Sequence, residues 1–407
     1  MKTTTARCAM KTFASTGAIL LAGAISVPAG AAPWEWNPTV EAGYLYDDNY
    51  RLSTPGGEIE VQGPLVDAEL ELRTLTQTGE FSFTPRIRAT YFPDETDVDA
   101  VDYFANLDWL HRGQRAETRL RGEFAQQDIV NSEQPDADSG GDLGEPDFGD
   151  SGRVLVDNRR MRASLRPSLS FELSPRRELQ FDAGYTDVDY EEEISNAQTD
   201  YTTADISAGL RARLNERSTL TTRLRGATYD MQAGEEQNSY GADVQWDTRT
   251  ADETRTYLRV GAQNVEVSGG DSELAWLAGA GISKAIGRNE LFADLSRNVG
   301  PSSAGVVVTR DQLRVRWTRA MTPRLSFLAG VRGTNDEDVD PVSTFQPRSY
   351  VTGDVGLQWR WQEEFSLRVA YDYTWQEFED AVDDATSSGA TLSFIYQPLQ
   401  RRRARND

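Results

Sequence analysis

Thiols and imidazoles are almost absent from this chain: its 407 residues contain one cysteine, Cys8, and one histidine, His111. Cys8 precedes the first apolar stretch, so it is not placed for lipidation. Without it the rest of the chain has no thiol for a disulfide or a thiolate metal site. A Ser-His or Asp-His hydrolase site needs its histidine beside a nucleophile, whereas His111 falls in a tight turn. No P-loop, dinucleotide glycine pattern or EF-hand spacing occurs. Carboxylate pairs such as Asp47-Asp48 and Asp383-Asp384 are too ordinary in so acidic a chain to mark a glycosidase. No catalytic residue, metal or cofactor is expected. Also missing is any run of about 20 apolar residues, which excludes a bundle of transmembrane helices. The net charge of -23 argues against nucleic acid as a partner.

Residues 1–31 have the make-up of a secretory signal peptide. Lys2, Arg7 and Lys11 form a basic start, Thr12 to Val27 a mostly apolar stretch, and Ala29-Gly30-Ala31 a small-x-small cleavage pattern. Their removal takes the net charge to about -26, because this segment holds three cations and no acid.

What fills the remainder is a rhythm. In one segment Val66, Ala68, Leu70, Leu72 and Thr74 occupy one face, and Asp67, Glu69, Glu71 and Arg73 the other. Such segments, about ten to fourteen residues long, recur from 38–47 to 387–397, far longer than the ~5–6 residues usual for a soluble strand. The pattern predicts an all-β fold, a closed antiparallel transmembrane β-barrel over 32–397 with about 18 strands, or about 16 if the weakly alternating first, thirteenth and fourteenth are misread. Residues 398–407 form a basic periplasmic tail. Pro85 and Pro167, mid-strand, predict local bulges.

The connections alternate in kind. Short ones such as Thr78-Gly79-Glu80, Ser174-Pro175-Arg176-Arg177 and Ile286-Gly287-Arg288-Asn289 carry hairpin residues and arginine. Long ones (93–101, 128–158, 189–200, 231–238, 266–272, 298–308, 335–348, 376–386) are acidic, for example Asp94, Glu95, Asp97 and Asp99, or Asp336, Glu337, Asp338 and Asp340. This is the arrangement of short periplasmic turns and long extracellular loops. The longest connection, 128–158, stands where a loop folds into the pore of trimeric porins. Acidic loops could also hold divalent cations.

Aromatics form two expected girdles on the lipid parity. Phe81, Trp109, Phe171, Trp246, Trp317, Trp359 and Phe365 lie near short turns. Tyr91, Tyr185, Tyr240, Tyr371 and Tyr373, with Tyr44 and Tyr103, lie near long connections. The lumen parity holds Arg73, Arg86, Arg88, Arg119, Arg121, Arg211, Arg213, Arg223, Arg225, Arg259, Arg314, Arg316 and Arg368, interleaved with carboxylates. Two readings stay open: a belt that selects solutes and makes a channel weakly anion-selective, or cross-strand Arg–carboxylate pairing that leaves selectivity to acidic groups.

The opening Val40-Glu41-Ala42-Gly43-Tyr44-Leu45-Tyr46-Asp47-Asp48-Asn49 resembles that of outer-membrane β-barrel proteins of the porin type. The last strand, with Gly389, Leu392, Phe394 and Tyr396, resembles their C-terminal assembly signal, although it continues through Arg401-Arg402-Arg403. The resemblance implies export to a Gram-negative outer membrane, with the assembly machinery, outer-membrane lipid and lipopolysaccharide as partners. The expected role is a porin-like channel for small solutes. Alternatives are a surface-binding barrel with a closed lumen, or the outer-membrane port of an exopolysaccharide or secretion system.

Overall fold

The computed structural model describes residues 34–133, 158–191, 198–231, 236–250, 254–266, 272–340, 345–379 and 383–398. Eighteen antiparallel strands form one sheet in which each pairs with its sequence neighbours, and the first pairs with the last. They are β1 (Trp34–Asp47), β2 (Val61–Leu75), β3 (Gly79–Thr90), β4 (Ala100–Arg112), β5 (Ala116–Asp128), β6 (Arg159–Ser174), β7 (Arg177–Tyr190), β8 (Tyr201–Arg213), β9 (Ser218–Met231), β10 (Gln237–Arg249), β11 (Arg255–Glu266), β12 (Ser272–Ile286), β13 (Asn289–Pro301), β14 (Val307–Ala320), β15 (Leu325–Asp338), β16 (Arg348–Arg360), β17 (Phe365–Phe378) and β18 (Ala385–Tyr396). Closure leaves no free edge. The count is 18, because β1 pairs along its whole length with β2, and β13 and β14 with each other, despite their weak alternation.

Alternation decides which face each side chain takes. Leu210, Leu224, Val244, Val260, Leu295 and Val369 stand exposed on the outside, an apolar band without protein partners. This is the surface a strand wall offers to lipid tails. The connections at one end are short, two residues long at 175–176 and 287–288; Gly287 supplies the positive φ of +60° between Ile286 and Asn289.

Two expectations need correction. Neither proline makes a bulge. The β2–β3 ladder skips from Glu69↔Arg86 to Leu72↔Phe83, and the β6–β7 ladder from Leu165↔Tyr185 to Ser168↔Asp182, with the register unchanged. The opposite ladders, through Pro85↔Ala105 and Leu120↔Pro167, run on unbroken. In an antiparallel strand a residue's N–H and C=O face one neighbour, so a proline interrupts one ladder and spares the other. The shift in the β6–β7 ladder lies elsewhere, between Glu172 and Ser174 at the turn. Secondly, 298–308 and 335–348 are not wholly loop: β13 and β14 leave only 302–306 between them, and β15 extends through Asp336, Glu337 and Asp338. Asp336 is buried.

Candidate functional site

All thirteen sequence-predicted arginines alternate with the outward apolar band and so face the lumen. Most meet a carboxylate on a neighbouring strand. Asp67 accepts from Arg86 at 2.6 Å and Arg88 at 3.0 Å. Asp108 accepts from Arg119 at 2.5 Å and lies 3.8 Å from Arg121. Arg73 pairs with Glu80. Asp243, its side chain 0% exposed, takes Arg223 at 3.3 Å and also Arg225. Asp294 accepts from Arg314 at 3.1 Å and from the Tyr257 hydroxyl at 2.6 Å. Arg259, 2% exposed, donates to the Asn298 side chain. Arg368 is half-buried on the same face. Among the described residues Arg211, Arg213 and Arg316 form no ion pair; the first two are exposed at the short-turn end.

Sequence reading missed several inward arginines: Arg160, Arg162 and Arg166 on β6, Arg310 on β14, Arg332 on β15 and Arg348 on β16. The same parity would have found them. Arg310 forms a bidentate pair with Asp336 at 2.6 and 2.8 Å, both nearly inaccessible. Arg348 donates to Gln376 at 2.8 Å and stacks over the Tyr350 ring at 4.7 Å.

Burial rises sharply toward the long-loop end, where apolar residues of strands and connections gather in clusters. One buried cluster joins Val188, Tyr190, Tyr201, Tyr229, Met231, Val265, Leu277, Val299 and Val307, from β7 round to β14, with Ile129. A second joins Tyr50, Val61, Phe92, Val98 and Val130; a third joins Leu52, Tyr350 and Ala385. Side chains facing a wide water-filled mouth would not be inaccessible, so connecting segments cover them. One cover is visible. The 302–306 turn reaches the β7–β8 connection, where the Thr199 amide donates to the Ser303 carbonyl at 2.9 Å. There Gly305, at φ +78°, comes against the Thr199 side chain. Gln198, Ser302 and Ser303 are buried at this contact.

The 128–158 connection contributes only its ends; 134–157 lies outside the described residues. A five-residue helix, Ile129–Glu133, turns inward so that Ile129 and Val130 enter separate clusters. Burial raises the Tyr50 phenol above its ordinary range, and Asp128, Asp102 and Asp47 push it further.

Outside, the girdle residues are on the face expected. Phe81 meets Trp34 edge-on at 5.9 Å, Trp317 meets Phe327 at 5.4 Å, and Trp361 packs on Phe365 and Phe394. Tyr91, Tyr185, Tyr240, Tyr371 and Tyr373 are exposed, as are Trp246, Trp359 and Phe171. Trp109 stacks with His111, which also faces outward. Trp34 and Trp36 escaped the expected strand, because β1 begins four residues before 38. In β18, Leu392 is exposed, and Phe394 and Tyr396 pack on Phe365 at 5.5 and 5.0 Å. Gly389 leaves room for the Asp372 carboxylate, which a Cβ would meet at 2.5 Å. Among the described residues no group of three or more His, Cys, Asp or Glu is set to hold a metal ion.

No family model matches the chain, and no curated protein matches it. Solved structures that resemble it include the outer membrane protein OpdK of Pseudomonas aeruginosa, 11% identical over 89% of this chain and 99% of that one, TM-score 0.45. Another is OccK2 (OpdF) of the same organism in complex with glucuronate, 12% identical over 90% and 98%, TM-score 0.48. A third is OccAB1 of Acinetobacter baumannii, 11% identical over 90% and 97%, TM-score 0.45. Identities this low carry no information about what passes through this barrel.

Proposed function

We propose that the protein is an outer-membrane channel of a Gram-negative bacterium, exported by its N-terminal signal, through which small hydrophilic solutes diffuse. The observation that carries this reading is the contrast between the two faces of one wall. Outside, apolar side chains stand exposed; inside, arginines and carboxylates near the short turns, such as Arg112 with Glu117 and Arg119 with Asp108, remain partly accessible. Charges in a dry lumen would carry a desolvation cost that hydration removes, so this half is water-filled. At the long-loop end the covering segments narrow the passage to small solutes.

Pairing also bears on selectivity. Seven of the thirteen belt arginines share four carboxylates, Asp67, Asp108, Asp243 and Asp294, so the belt is partly neutralised. The wall from β16 through β18 to β2 keeps an acidic surplus, including Asp354, Asp372, Glu41 and Glu69. A weak cation preference follows, aided by the acidic connections. Purified protein in planar bilayers should give discrete conductance steps, with reversal potentials in a salt gradient of the cation-selective sign. Absence of steps would overturn the channel reading and favour a surface barrel closed by its three buried clusters. An anion-selective sign would overturn the pairing account alone.

A further inference from the structure

Asp47, Asp48 and Asn49, at the end of β1, form a set of hydrogen bonds to the start of β18 and to Ser53. Asp47 Oδ1 accepts from the Ser387 hydroxyl and the Asn49 amide, each at 2.7 Å. Asp48 Oδ1 accepts from the Ser388 amide at 2.7 Å, and the Asp48 amide donates to the Ser388 carbonyl at 3.2 Å. Asn49 Nδ2 donates to the Thr386 and Ser53 carbonyls, both at 2.8 Å, and its Oδ1 accepts from the Ser53 amide at 3.0 Å. Asp47, Asn49 and Ser387 are buried. Three consecutive residues thus grip three consecutive residues at the start of β18.

The strand they grip is the one that closes the ring. Among the described residues the β1–β18 ladder holds eight registered pairs, from Val40↔Tyr396 to Asp47↔Gly389, whereas β1 and β2 share fourteen. Trp34 to Thr39 have no partner on β18. Midway, Gly43 lies so close to β18 that a Cβ would stand 2.8 Å from the Leu392 carbonyl. The described seam is therefore tight in the middle and side-chain-bonded at the long-loop end.

We propose that Asp47-Asp48-Asn49 is a clasp that holds the barrel seam shut, and that β1–β18 is the ladder that parts first when it is released. The clasp also seats the β1–β2 connection, so Tyr50 and Leu52 enter two of the mouth clusters only while the seam is closed. Side-chain bonds at this end add to the eight described ladder pairs.

The test is rescue by a cross-link, read as the unfolding rate of detergent-refolded protein by loss of its heat-modifiable gel mobility. D47A/N49A should unfold about tenfold faster than the parent. Adding Tyr44→Cys with Leu392→Cys, a registered pair across the seam, should restore the parental rate when oxidised and lose it again on reduction. Leu313→Cys with Gly333→Cys, a registered pair across β14–β15, should restore nothing. Should the double variant fail to refold, Ser387→Ala removes one clasp bond and carries the same test at smaller amplitude. Rescue by both cross-links, or by neither, would overturn the clasp.

Discussion

The two ends of the lumen solve the same problem differently. Near the short turns, charges pair across strands in partly open positions, as Arg112 does with Glu117 at 3.1 Å. Near the long connections apolar residues gather in covered clusters, and the few charges there are locked in buried pairs such as Arg310–Asp336. A barrel this wide cannot fill its interior from the wall alone. Folding connections inward supplies a small core at one end and leaves the other wet. Stability and filtering therefore concentrate at the long-loop end, and hydration at the short-turn end.

The contrast should appear most strongly in ion pairs. Asp336→Asn strands a buried Arg310 and should cost about 3–5 kcal/mol. Glu117→Gln should cost under ~0.5 kcal/mol, since both partners are exposed. Urea unfolding in lipid vesicles measures both, and equal costs would erase the distinction. Next come the apolar positions. Leu277→Ala opens a cavity under the covering segments and should cost about 2–4 kcal/mol, whereas Leu258→Ala, one strand away on the outer face, exchanges protein for lipid contact and should cost far less. A reversed order would place the core outside the lumen.

The smallest effect concerns charge. Arg223→Ala with Arg225→Ala should move the reversal potential further toward cations. The two substitutions remove positive charge from the inward face beside Asp243. A move toward anions would show that these arginines do not face the conducting path.

Strand number, topology and the facing of nearly every side chain were legible because a period of two is imposed by the pleat itself. Val66 to Thr74 announced its lipid face and Asp67 to Arg73 its lumen face without any partner in view. The pairing of those arginines was not legible, because Arg223 meets Asp243 through a register set by turns elsewhere. The covered mouth was hidden for a different reason: Met231 was assigned to the long connection 231–238, and nothing in the alternation marks Tyr229 or Val265 as core. They become a core by packing with residues far away in sequence, such as Ile129 and Val307. Pro85 misled because a general rule about sheets was applied to both ladders when one alone feels the missing N–H.

The location of the narrowest section is tested most directly by single-channel conductance after replacing 302–306 with Asn-Gly, a two-residue link suited to the Pro301↔Val307 hairpin end. Removing that cover should raise the conductance severalfold, while Arg119→Ala and Arg368→Ala, lower in the lumen, leave it nearly unchanged. An unaltered conductance in the shortened protein, with a marked rise in the arginine variants, would put the constriction at the Arg belt and contradict the account.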